Sequence, residues 1–166
     1  LPLQMESGTM RAATSPVDGL IYYSGLTGWQ AGATQEGSIQ RLRYTGDKGI
    51  YLSEAKARKN RLELTFTEQV NPDSIKKDSF AASAWNYRWS KGYGSPTFKV
   101  SDPEIRGDDK LSIESIDLSK DGKKLIVQIP DLSPCHNLKL DFALGGRNGA
   151  SLAGPVYFTI HKLPES

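Results

Sequence analysis

The residues of this sequence best suited to contact chemistry are aromatic and crowded into one stretch, AWNYRWSKGYGSPTFKV at 84–100, which holds Trp85, Tyr87, Trp89, Tyr93 and Phe98. In an extended strand Trp85, Tyr87 and Trp89 project from one face about 6.7 Å apart, because each residue rises roughly 3.3 Å, while Asn86, Arg88 and Ser90 project from the other. Such a row is either a wall of a core or a platform on which a flat ligand stacks, and the residues alone leave both open. The loop that follows, SKGYGSP, sets Tyr93 between two glycines with little local core to enter, which makes it the best single candidate for an exposed ring. No acidic residue occurs between Ser79 and Ser101, whereas Arg88, Lys91 and Lys99 do. Aromatic planes accept the weakly polarised C–H faces of sugars, and charged or amide side chains accept their hydroxyls or sulfates. The candidate carbohydrate-binding set is therefore Trp85, Asn86, Tyr87, Arg88, Trp89, Lys91 and Tyr93. Single-stranded nucleic acid stacks on similar surfaces, but a net charge of +2 and the lack of a basic stripe elsewhere argue against it.

Other chemistry is sparse. His136 and His161 are the two histidines. Ser133-Pro134-Cys135-His136 places nucleophile types beside a base, but neighbours on a strand point to opposite faces and cannot pair directly. An active site would need His136, His161 or the carboxylates Asp102, Glu104, Asp108 and Asp109 to meet in one cleft, and the expectation is that they do not. Those carboxylates, with Arg106 and Lys110 interleaved, read as a solvated loop. Asp117, Ser119, Asp121 and Gly122 imitate the start of a calcium loop, but Gln128 stands where a bidentate glutamate belongs. GGRNG at 145–149 is too short for a phosphate loop and reads as a hairpin turn. The expectation is a protein that is not an enzyme and needs no cofactor or metal.

The elements that carry these residues are β-strands. Apolar residues repeat at every second position in 61–66, 111–118, 124–129, 137–142 and 156–161, as strands with one wet face require. Further strands are expected at 84–89 and 97–100, an Asp121-Gly122 hairpin at 119–124, and a proline-opened connection with one helical turn at 71–80. Seven strands with closely spaced turns suggest an immunoglobulin-like antiparallel sandwich over residues 50–166. Residues 1–49 are glycine-punctuated and aromatic, with strands expected at 19–24 and 38–44. They read as a β-hairpin or propeller-blade-like segment packed on the sandwich, with Tyr22, Tyr23 and Trp29 as the packing aromatics.

The 166 residues suffice for one ordinary domain with a substantial extra segment. A single cysteine, Cys135, excludes an internal disulfide and a multi-thiolate zinc site, and reads as a buried small hydrophobe. No run reaches the roughly 18 apolar residues of a membrane span, and the start at Leu1 without a leader-like segment suggests a processed protein or an excised piece.

ESGTMRAATSPVDGLIYYSGLTGWQ followed by GSIQRLRYTG resembles the last propeller blade of large bacterial secreted proteins of the sugar-dehydrogenase-like type, often fused to cytochrome c modules. RLELTFTEQVNPDS, WNYRWSKGYGSP, LSKDGKKLIVQIPDLSP and YFTIHKL resemble the C-terminal immunoglobulin-like module behind that propeller. The resemblance implies a secreted or periplasmic accessory module with neighbouring domains of a larger parent protein as partners. The chain lacks Cys-x-x-Cys-His for haem attachment, so dehydrogenase chemistry is not carried over. Two functions follow as expectations. The first is binding of polysaccharide or oligosaccharide, acidic or sulfated forms included. The alternative is a structural role, closing a β-propeller and docking a redox domain.

Overall fold

The structure, a computed structural model, describes residues 5–28, 32–46 and 48–164. Two compact units divide the chain, Leu1–Asp47 and Lys48–Ser166. All regular structure among the described residues is β, apart from two single 3-10 turns, and no helix is long and apolar enough to cross a membrane.

The first unit is an antiparallel meander of β1 (Gly8–Thr14), β2 (Ile21–Leu26) and β3 (Gly37–Leu42). It has one strand more than the sequence suggested. β1 reads as GTMRAAT and stays exposed almost throughout, so no alternation of apolar residues betrays it. Tyr22 and Tyr23 are half-buried, and the Tyr22 hydroxyl donates to Asp18 at 2.8 Å. Trp29 lies outside the described residues.

The second unit is sandwich-like. One sheet runs β4 (Leu52–Arg58), β5 (Arg61–Phe66), β10 (Lys124–Gln128), β9 (Ile116–Leu118). The other is centred on β6 (Phe80–Tyr87) and the long β11 (Cys135–Gly145), with β7 (Thr97–Phe98) and β8 (Asp109–Leu111) on the free side of β6 and β12 (Ser151–Ala153) and β13 (Val156–Ile160) on the free side of β11. Alternation assigns the inner faces: Leu62, Leu64 and Phe66 from β5 and Leu125 and Val127 from β10 join Phe80, Ala82 and Ala84 from β6 and Leu138, Leu140 and Phe142 from β11 in one buried cluster. Phe142 bridges the sheets, edge-on to Phe66 at 6.4 Å and stacked on Phe80 at 6.2 Å.

The stretch 111–118 corrects the sequence reading. It is two strands in opposite sheets, with β8 paired to β6 and β9 to β10. The chain crosses between the sheets at 112–115, where Ile113 turns into the core and the Glu114 N–H reaches the Gln128 carbonyl at 2.9 Å. The 71–80 connection holds two 3-10 turns, Pro72–Ser74 and Lys77–Ser79, the first capped by Asn71 Oδ1 accepting from the Asp73 N–H at 3.1 Å. Both expected hairpins form, 119–123 between β9 and β10 and 146–150 between β11 and β12.

Gly122 sits at φ +72°, where a Cβ is strained, so Gly122→Ala is expected to destabilise the unit by about 1–2 kcal/mol in urea unfolding. Glu63, on β5, accepts from Arg61 Nε at 2.9 Å and lies 3.9 Å from Lys124 Nζ. The Arg61 hydrogen bond lowers its carboxyl pKa despite the opposing effect of burial, with the charges of Arg61, Lys124 and Arg58 adding to the lowering. A folded pKa below the unfolded one stabilises the protein above roughly pH 4.3 and is lost as pH falls through the folded value. The stability gap between wild type and Glu63→Gln, measured by thermal unfolding, should therefore shrink steadily from about pH 6 towards pH 3.

Candidate aromatic binding surface

β6 positions the aromatic segment. Because Phe80, Ala82 and Ala84 face the core, the period of two sends Ala81, Ser83, Trp85 and Tyr87 to the outer face. Trp85 is half-buried there and Tyr87 is 53% exposed. None of the segment's three closely spaced rings enters the core, whose aromatic wall is Phe66, Phe80 and Phe142.

The expected strand at 84–89 is corrected at its end: β6 stops at Tyr87, so Trp89 is not the third ring of a row. At Arg88 the backbone N–H donates to Ser95 Oγ at 3.1 Å, closing the base of a loop instead of extending the ladder. The guanidinium lies over the Phe98 ring, 4.4 Å from its centroid, and donates to the Pro103 carbonyl and to Glu104 Oε1, the latter at 2.5 Å. The loop thus anchored carries Trp89, 90% exposed, Lys91, also exposed, and Tyr93, fully exposed. Gly94 at φ +79° turns the chain directly behind Tyr93.

The seven candidate residues separate into two groups. Trp89, Lys91 and Tyr93 stand open on the loop, and Trp85 lies half-buried on the sheet face; Lys91 forms no ion pair among the described residues. Asn86, Arg88 and Tyr87 are engaged. Asn86 Oδ1 accepts from the His136 N–H at 2.8 Å, the Tyr87 N–H donates to His136 Nδ1 at 3.2 Å, and the Tyr87 ring packs on the imidazole at 4.4 Å. Asn86 keeps its amide donors for a ligand, and Tyr87 one ring face. The local basicity read from 79–101 is correspondingly reduced, because Glu104 neutralises Arg88 from across the next loop.

The remaining carboxylates serve the loops. Asp102 Oδ1 accepts from the Glu104 N–H at 3.0 Å, and Asp109 accepts from the Ser101 N–H and hydroxyl at 2.7 Å each. Burial alone would raise the Asp109 pKa, but the two Ser101 hydrogen bonds, a backbone hydrogen bond from Val100 and the charge of Lys99 together hold the carboxyl below its ordinary value. Asp121 Oδ1 accepts from Ser119 Oγ at 2.5 Å and from the Lys123 N–H at 3.1 Å, which is turn chemistry. No group of three or more potential metal ligands occurs among the described residues.

The histidines depart from expectation. His136 and His161 line one shallow depression of about 250 Å³ with Asn86, Pro134, Cys135 and Ile160. The Asp102 and Asp109 carboxylates are not among its lining residues. His136 Nδ1 is occupied by the Tyr87 N–H, and burial raises the Cys135 thiol pKa, which disfavours the thiolate. The sequence matches no protein-family model, and no curated protein is significantly similar to it.

Among the surface rings that the sequence reading passed over, one lies on the same sheet as the aromatic strand. Tyr157 on β13 is 58% exposed and stands opposite Lys139 of β11. The signal was present in VYFTIH: once Ile160 is taken as inward, Phe158 follows and Tyr157 must face out.

Proposed function

We propose that the chain is a non-catalytic accessory module of an exported, secreted or periplasmic multimodular protein, that its second unit is an immunoglobulin-like sandwich, and that it binds polysaccharide or oligosaccharide without a cofactor. The observation that carries this reading is the loop 88–96. It presents Trp89 and Tyr93 to solvent with the uncompensated Lys91 between them in sequence, on a base braced by Ser95 and by the Arg88–Glu104 pair. Rings held out in this way can stack on sugar faces at little conformational cost, while Lys91 and the Asn86 amide supply hydrogen bonds to substituents. A shallow site of this kind gives weak affinity, in the micromolar to millimolar range or on the order of −4 to −8 kcal/mol, and multivalency can raise retention on a surface.

The second reading is structural: a blade-like first unit closes a propeller, and the module docks a cytochrome c or dehydrogenase domain. It is favoured by the meander's exposed apolar side chains, with Ile39 79%, Met10 54% and Leu26 49% accessible. The test between them is retention of the isolated chain on a panel of insoluble and soluble polysaccharides, neutral and sulfated. Selective retention supports the carbohydrate site; a panel that retains nothing favours the structural role.

A further inference from the structure

The outer face of the six-stranded sheet carries a second feature beside the loop. Strand register sets four residues in one row across it: Lys110 opposite Ser83, Ser83 opposite Lys139, and Lys139 opposite Tyr157. The neighbouring row along β6 pairs Ala81 with Asp141, and the row on the other side pairs Trp85 with Asn137. Small side chains at Ala81 and Ser83 leave a trough of about 430 Å³ lined also by Lys110, Leu111 and Asp141, and strand register places Lys139, Trp85 and Tyr157 beside it, outside its lining. That volume lies within the range of small-ligand sites.

The two lysine Cα atoms flank Ser83 one strand spacing to each side, about 10 Å apart, so both ammonium groups can reach over its hydroxyl. Ser83 Oγ has no protein partner among the described residues. Lys139 is paired with Asp141 at 2.8 Å, which raises its pKa and keeps it charged. Lys110 has no such partner among the described residues, so it supplies the uncompensated positive charge. The Asp141 carboxylate repels an anion at the Ala81 end and directs it towards Ser83 and Trp85.

Resting on the carbohydrate reading above, we propose that this trough is an acidic-sugar subsite: Lys110, Ser83 and Lys139 hold the carboxylate or sulfate of a sugar unit, and Trp85 and Tyr157 border the ring that bears it. From Tyr87 to Ala81 β6 covers roughly 20 Å, so a ligand using both the loop and the trough is a chain of several sugars rather than a monosaccharide.

The test is binding of the full chain to polygalacturonate, dextran sulfate and neutral dextran at low and high salt, with Lys110→Gln, Lys139→Gln and a loop variant lacking the Trp89 and Tyr93 rings beside the wild type. Wild type is expected to bind at least one acidic polymer, with affinity falling as salt rises, and Lys110→Gln to weaken that binding about tenfold with an unchanged thermal midpoint. Lys110→Arg, which keeps the charge, should retain most of it. Lys139→Gln should weaken binding at least as much, because it removes a positive charge and also leaves the Asp141 carboxylate unpaired beside the anion. Acidic-polymer binding that survives both lysine substitutions but is lost with the loop rings overturns the subsite and leaves the loop reading standing. Binding of neutral polymer alone does the same. A wild type that binds none of the three polymers, nor any member of the wider panel, overturns both.

Discussion

Phe142→Ala is expected to destabilise the second unit by about 3–5 kcal/mol, read as a fall in the urea midpoint at unchanged slope. The ring is 5% exposed and touches an aromatic of the opposite sheet, Phe66, and one of its own, Phe80. Gly154 lies so close that a Cβ there would come within 2.6 Å of the Phe142 ring. The space around the ring is therefore closed by backbone as well as by side chains, and little can collapse into the cavity that truncation leaves. A loss below about 1 kcal/mol would mean that the two sheets do not share the core described here.

Trp89→Ala and Tyr93→Ala should do the opposite: leave the unfolding midpoint in place and remove binding. Side chains this exposed bury almost nothing on folding, so their truncation is expected to change stability by no more than about 0.5 kcal/mol. Each ring lost from a stacking surface is expected to cost about 1–3 kcal/mol of affinity, roughly a 5- to 150-fold weakening, by analogy with stacking of planar ligands on aromatic side chains. Because the starting affinity is weak, either variant should fall near the limit of detection. Equilibrium binding of a retained polysaccharide, compared among wild type and the two variants, checks this. Equal affinities for all three would remove Trp89 and Tyr93 from the site.

The sequence made the β architecture legible where alternation was strong and turns were marked. β5 and β10 follow their apolar period, and Asp121-Gly122 falls at the turn between β9 and β10. β4 was hidden because LSEAKAR faces the core with Leu52, Ala55 and Ala57, residues too small and too diluted by charge to stand out. The crossing at 112–115 did leave a mark that the reading passed over: Leu111 and Ile113 hold one phase of the alternation and Ile116 and Leu118 the other, so no single strand puts all four on one face.

The site was legible in its residue types and less so in its geometry. Alternation divides β6 into two faces, and Phe80 was the residue that decided which is dry: counting from it puts Ala82 and Ala84 inside and Trp85 outside. The Arg88–Glu104 pair and the hold of Asn86 and Tyr87 on His136 join residues 16 and about 50 positions apart. No local pattern encodes such contacts. The same applies to Tyr157 and the two lysines, which share a row only through the register of four strands.

The most direct test of the central claim is protection of tryptophan. Iodide quenching of fluorescence, measured in wild type and in Trp89→Phe with and without each polysaccharide that the chain retains, reports whether the exposed indole is covered by the ligand. The account predicts that wild type loses a quenchable fraction on binding and that Trp89→Phe, while still binding, loses a clearly smaller one, left to the half-buried Trp85. Saturating retention with Trp89 as quenchable as in the free protein would contradict it.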